Sequence, residues 1–147
     1  EQEDKIEQEL TKLKHTDTEG KKPQSHAYHV KTVPSNAIPA GWMALDIGPK
    51  SITRIKDILA SCKTVLWNGP MGVYTLPGFD RGTHDLIKIM SKLTQAGDVT
   101  TIATGDETVK ALALQDECKE KVTYVTSGGG EVLWDFLLGK NLPGIDA

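Results

Sequence analysis

The feature that most constrains the fold is a fourfold alternation of strand-like segment, glycine-bearing turn and helix-like segment. The strand-like segments contain "WMALDI", "KTVLWN", "DVTTIAT" and "KVTYVT". The helix-like segments carry apolar residues three and four apart, as at Leu86, Ile87, Met90 and Leu93. Such alternation is typical of βαβ units. The sequence therefore predicts an α/β fold with a Rossmann-like parallel sheet and helices on both faces.

The composition changes near residue 28, which predicts two regions. Residues 1–27 contain the amphipathic stretch "DKIEQELTKLKH" and then a polar segment, so we expect a short helix and a linker. Residues 28–147 carry the α/β pattern and are long enough for one domain, with Trp42 and Trp67 expected in its core. Because the chain does not begin with Met, we expect it to be part of a longer protein.

Charge and hydropathy exclude several classes of function. The net charge is −3 over 147 residues and no basic stripe is present, so nucleic acid is not an expected partner. No apolar run approaches the roughly 18–20 residues of a membrane span, and no secretory signal begins the chain. Cys62 and Cys118 lack CxxC spacing, which favours reduced thiols. We therefore expect a cytoplasmic location and no membrane span.

Small and polar residues end all four predicted strands, at 44–46, 68–70, 104–106 and 128–130. Ligands of open parallel sheets bind beyond the carboxyl ends of the strands, so these turns form the candidate site. The last turn contains three consecutive glycines before a helix-like segment. Bare backbone N–H groups at a helix start suit a phosphate. The alternative is a plain α/β domain in which these glycines serve only tight turns.

Several of these segments also resemble one enzyme family. "PAGWMALDIGP", "TVLWNGPMGVY", "TIATGDE", "TSGGG" and "GKNLPGIDA" resemble, in the same order, the C-terminal lobe of phosphoglycerate kinases. The resemblance covers residues 28–147 and implies about half of a nucleotide-binding lobe. It implies ATP or ADP with magnesium, and phosphoryl transfer between 1,3-bisphosphoglycerate and ADP in glycolysis.

The substrate-binding lobe of that family has no counterpart in this sequence, so we expect this chain alone to be inactive. We also expect the rest of the same polypeptide, or a partner chain, to complete the sheet.

The resemblance assigns site residues position by position. It implies three catalytic glycines, whose N–H groups would stabilise charge on the transferring phosphoryl group. It implies eight residues around the nucleotide, of which Asp106 would also bind magnesium. The catalytic glycines are Gly128, Gly129 and Gly130, and the nucleotide residues are Ala44, Leu45, Asn68, Pro70, Gly72, Val73, Gly105 and Asp106.

Departures from the family pattern leave a second hypothesis open. Thr75 replaces a glutamate that holds the ribose, and Ala103 and Thr104 replace two glycines, which predicts crowding near the phosphate. Glu107 and Glu131 place carboxylates in first helical turns, where they would repel phosphate but stabilise a helix. We therefore expect nucleotide binding to be weak or lost. The alternative is a degenerate, non-catalytic module that serves as a binding or scaffold domain in a larger assembly.

Overall fold

The computed structural model describes residues 30–115, 118, 121–127 and 130–145. The predicted helix and linker at 1–27 lie outside these residues. Four helices and three strands are present in the described part. The helices are α1 (Pro49–Leu59), α2 (Arg81–Ala96), α3 (Asp106–Ala113) and α4 (Gly130–Leu137), and the strands are β1 (Thr64–Asn68), β2 (Thr100–Thr104) and β3 (Tyr124–Thr126).

The three strands form one parallel sheet in the order β1-β2-β3. Leu66 lies opposite Ile102, which lies opposite Tyr124. The predicted α/β fold with a parallel sheet is confirmed. Among the described helices, none is both long enough and apolar enough to cross a membrane.

Local sequence explains where the helices begin and end. Pro49 stands at the first position of α1, where a missing N–H and a fixed φ are both favourable. Gly97 ends α2 in the left-handed conformation, with φ of 84°, and donates its N–H to the Thr94 carbonyl at 3.0 Å. A glycine tolerates this conformation without a Cβ penalty, so the predicted stop at Gly97 is confirmed.

One face of the sheet carries the hydrophobic core. Val65, Trp67 and Ala103 lie on that face, because alternate strand residues point the same way. Residues of α2 and α3 belong to the same cluster, and all ten members are Val65, Trp67, Leu86, Ile87, Met90, Val99, Ala103, Ala111, Leu112 and Val122. On the opposite face, Leu66 is 36% exposed and Tyr124 62% exposed. In the part of the chain described here, the helices that build the core therefore cover one face.

Two expectations about residues 42–47 are wrong. This segment is not a strand, and Trp42 is 41% exposed, whereas Trp67 is buried as predicted. The carbonyl of Leu45 accepts a hydrogen bond from the N–H of Val73, which belongs to a loop. An apolar pattern makes a strand only where a neighbouring strand supplies ladder partners, and the described residues supply none here.

Candidate functional site

The ends of β1 and β2 meet at the carboxyl edge of the sheet. Asn68 and Thr104 are register partners, and each strand is followed by a glycine with positive φ, 97° at Gly69 and 92° at Gly105. A Cβ added to Gly105 would lie 2.6 Å from the side-chain oxygen of Asn68. The two turns are thus in contact, which places Asn68 and Gly105, both predicted site residues, side by side.

Two buried hydroxyl groups hold the loop that follows β1. The hydroxyl of Thr108, on α3, accepts a hydrogen bond from the N–H of Gly69 at 2.7 Å. The hydroxyl of Thr83, on α2, accepts from the N–H groups of Met71 and Gly72 at 3.1 and 3.4 Å. Both threonines are 0% exposed. Sequence reasoning missed them, because each lies 11 or more residues from the groups that it binds.

Asp46 joins the segment 44–47 to the start of α2. Its carboxylate accepts hydrogen bonds from the N–H of Gly82 and from that of Ile47, each at 2.8 Å. Any side chain at Gly72 or Gly82 would overlap the Asp46 carboxylate. The sequence predicts only that Asp46 ends a strand. In the structure its carboxylate links residues 44–47 to the start of α2 by hydrogen bonds.

A cavity of about 350 Å³ lies between residues 44–47 and residues 70–73. Ala44, Leu45, Pro70, Gly72 and Val73, all predicted from the sequence, line it together. The remaining lining residues are Asp46, Ile47 and Met71. Seven of the eight lining residues are apolar or glycine and the eighth is a carboxylate, so the wall suits a flat, neutral group better than an anionic one.

The first turn of α3 carries two carboxylates with different surroundings. Asp106 is exposed, next to the turn at Gly105. Glu107 accepts hydrogen bonds from Lys110 Nζ at 2.6 Å and from the Tyr74 hydroxyl at 2.8 Å. The hydrogen bond from Lys110, with that from Tyr74, lowers the pKa of Glu107. Burial and the Glu107 carboxylate raise the pKa of Tyr74. Glu107 therefore has side-chain partners that its expected role at the helix start did not include.

The triple glycine is described only in part. Gly130 begins α4, while Gly128 and Gly129 lie outside the described residues. The N–H of Gly105 donates to the carbonyl of Thr126, the last residue of β3, at 3.2 Å. The end of β3 therefore lies beside the turn that precedes Asp106.

The side chains at this edge could supply only part of the ligands of a magnesium ion. No group of three or more His, Cys, Asp or Glu side chains suited to a metal is found among the residues described. Magnesium bound with a nucleotide usually needs only one or two protein carboxylates, since phosphates and waters supply the other ligands. Asp106 could supply one such carboxylate.

Comparison with known proteins gives a consistent result. The family model described as phosphoglycerate kinase matches residues 3–140. A phosphoglycerate kinase of Oenococcus oeni is 46% identical over 127 residues, which are 84% of this chain and 30% of the relative. A chloroplastic phosphoglycerate kinase of Volvox carteri is 46% identical over 119 residues, covering 81% of this chain and 25% of the relative.

A solved structure, a phosphoglycerate kinase from Coxiella burnetii, shares the fold. It has a TM-score of 0.58 and 30% sequence identity, and the match covers 69% of this chain and 25% of that one. The chain thus spans 25–30% of the length of these relatives. With a family match over most of its residues, this chain belongs to the phosphoglycerate kinase family.

Proposed function

We propose that this chain is part of the ATP- or ADP-binding lobe of a protein that transfers a phosphoryl group between 1,3-bisphosphoglycerate and ADP. The observation that carries the proposal is the cavity in which Leu45, Pro70 and Val73 come together. Pro70, which lines the cavity, follows Asn68 by two residues, and Asn68 in turn lies against Gly105. An apolar slot next to glycine turns offers one place for a base and another for phosphates.

Each part of the nucleotide then has a candidate partner. Leu45, Pro70 and Val73 would pack against the adenine base, and Asn68 would lie near the phosphates. Asp106 would hold magnesium, which when bound would neutralise charge on the phosphates. Gly128, Gly129 and Gly130 would present N–H groups to the transferring phosphoryl group, where positioning and charge stabilisation supply most of the catalysis.

The chain alone would not catalyse the transfer under this proposal. It spans 25–30% of the length of its relatives, so the substrate-binding residues would come from the rest of a longer protein. The hypothesis of a degenerate scaffold module is not favoured by the comparisons, since relatives 44–46% identical are named phosphoglycerate kinases.

A cytoplasmic location is also a proposal. One relative, from Crithidia fasciculata, is named a cytosolic phosphoglycerate kinase, and others are named chloroplastic or glycosomal. Cell fractionation with an antibody against this chain tests the location directly.

Binding should depend mainly on the base, and this is the test of the proposed function. We expect adenosine and ADP to bind the chain with affinities that differ little, and magnesium to add little, since the predicted ribose and phosphate contacts are altered at Thr75 and Glu107. Leu45→Asp should weaken both ligands at least about tenfold, because it places a carboxylate against the base. Isothermal titration calorimetry measures each affinity.

Leu114→Asp is the matched control, because Leu114 is 62% exposed and does not line the cavity. Circular dichroism before and after heating verifies that both variants fold. Absence of adenosine binding, or equal effects of the two substitutions, would overturn the proposed site. A strong magnesium-dependent preference for ADP would contradict base-dominated binding.

A further inference from the structure

An exposed ion pair lies on α3 next to the expected magnesium ligand. The Lys110 ammonium and the Glu107 carboxylate are 2.6 Å apart, and their side chains are 65% and 57% exposed. The Glu107 hydrogen bond raises the pKa of Lys110, and the charge of Asp106 acts in the same direction. Lys110 lies four residues after Asp106 and three after Glu107 on α3, so it shares a helix face with both carboxylates of the first turn.

We propose that Lys110 is a phosphate-binding residue of the nucleotide site, and that Glu107 holds it away from the phosphate. The inference rests on the proposed function, because it assumes that a nucleotide occupies the cavity at residues 44–45 and 70–73. The ligand class is a nucleoside diphosphate or triphosphate.

Little free energy is lost when the Lys110 ammonium leaves Glu107 for another anion. Exposed ion pairs contribute little to stability, since water solvates both charges well. A lysine carries its ammonium on a flexible four-carbon chain, so it can turn toward a new anion without a backbone movement. A nucleotide phosphate carries more charge than one carboxylate and therefore competes well for the ammonium.

Glu107 keeps a partner when the lysine leaves. The Tyr74 hydroxyl donates to one oxygen of the carboxylate, and Lys110 binds the other. Tyr74 directly follows Val73, which lines the cavity. The Tyr74–Glu107 bond therefore holds the carboxylate on the side of the loop, and Lys110 is the member of the group that would move toward a phosphate.

A simpler mechanism makes a different prediction. If Glu107 only repels the phosphate through space, removal of its charge strengthens ADP binding whether or not Lys110 is present. If Glu107 instead restrains Lys110, the gain requires the lysine. The two mechanisms separate when both residues are changed together.

The experiment compares Glu107→Gln with the double variant Glu107→Gln/Lys110→Gln. Glutamine keeps an oxygen acceptor for Tyr74 and loses only the charge. We expect Glu107→Gln to strengthen ADP binding about two- to fivefold, the size of one exposed charge contact, and to leave adenosine binding unchanged. The double variant should return to the parent affinity for ADP. Calorimetry on the full chain gives all four affinities.

Lys140 and Asp135 supply a matched control. They form a similar exposed pair, 2.7 Å apart with 60% and 43% exposed side chains, at the far end of α4 from its first residue, Gly130. Lys140→Gln added to Glu107→Gln should leave the gain in ADP affinity intact. Thermal melts followed by circular dichroism show whether each variant is folded.

Each outcome decides the inference. A gain in ADP affinity that depends on Lys110 but not on Lys140 supports it. No gain in Glu107→Gln, or a gain that survives in the double variant, overturns it while adenosine binding still supports the proposed function. Absence of adenosine binding in parent and variants overturns the proposed function and this inference with it.

Discussion

Gly105 is the residue of the site where space is tightest. Its φ of 92° is one that side chains rarely adopt, and a Cβ there would lie 2.6 Å from the Asn68 side-chain oxygen. Ala103 and Thr104, which replace family glycines, are 0% and 1% exposed and belong to β2. Their side chains therefore pack inside the fold, and crowding of a phosphate by them stays a prediction.

Replacing Gly105 by alanine should therefore destabilise the domain more than the same change at Gly97. Gly97 has a similar φ, 84°, but nothing lies within 4 Å of its added Cβ. We expect Gly97→Ala to lower the free energy of unfolding by about 1–2 kcal/mol because of its backbone conformation alone. Gly105→Ala should lower it by at least about 1 kcal/mol more, because its side chain must also displace Asn68. Urea unfolding of the three proteins measures the difference. Equal losses would mean that Asn68 moves aside freely.

Sequence could identify the residues of this edge but not their contacts. Gly105 and Asp106 follow from the position of a turn after a strand, and Gly97 from the end of an apolar helical pattern. Asp46, Thr108 and Glu107 each have a partner that lies far away in the sequence, at 36, 39 and 33 residues. No local pattern specifies such pairs, because they depend on how elements pack.

The loop between β1 and α2 is hydrogen-bonded to two helices. The hydroxyls of Thr83 on α2 and Thr108 on α3 each accept hydrogen bonds from backbone N–H groups at the start of this loop. These acceptors satisfy N–H groups that the turn itself leaves without strand or helix partners. The loop is thus positioned by the helices, and the cavity next to it depends on both.

Thr108→Val should destabilise the domain and weaken adenosine binding together. Valine keeps the shape but leaves the half-buried Gly69 N–H without its acceptor, which costs about 1–3 kcal/mol. The control is Thr53→Val, because the Thr53 hydroxyl is exposed and bonds only the Pro49 carbonyl within α1. Urea unfolding and calorimetry measure the two effects. A stable Thr108→Val variant with normal adenosine affinity would contradict the anchoring role of Thr108.

At the level of elements, periodicity was informative for helices and for paired strands. Leu86, Ile87 and Met90 are buried on α2 as their spacing predicts. The segment 42–47 has an equally apolar pattern, yet its Leu45 carbonyl binds a loop N–H instead of a strand. The backbone hydrogen bonds of a helix lie within the helix, whereas those of a strand need a neighbouring strand. A strand-like pattern is therefore weaker evidence for a strand than a helical pattern is for a helix.

At the scale of the whole molecule, the described residues contain a three-stranded parallel sheet, which corresponds to one half of a doubly wound sheet. The strands follow the sequential order β1-β2-β3, and residues of α2 and α3 belong to the same core cluster on one face of the sheet. Folds of this kind combine two such halves. Leu66, Ile102 and Tyr124 lie on the opposite face, and within the described residues β1 pairs on one side only. We therefore expect further strands and helices of a longer protein to cover this face and edge.

The isolated chain should consequently self-associate through this uncovered surface. An unpaired strand edge and an exposed apolar face are both sites where another chain can pair. Analytical ultracentrifugation across a wide range of concentrations should show a concentration-dependent increase in mass. Leu66→Lys, which places a charge on the open face, should reduce that increase, whereas Leu114→Lys, outside the sheet on the turn after α3, should not. A chain that stays monomeric and melts cooperatively would show that the half sheet is stable without a second half.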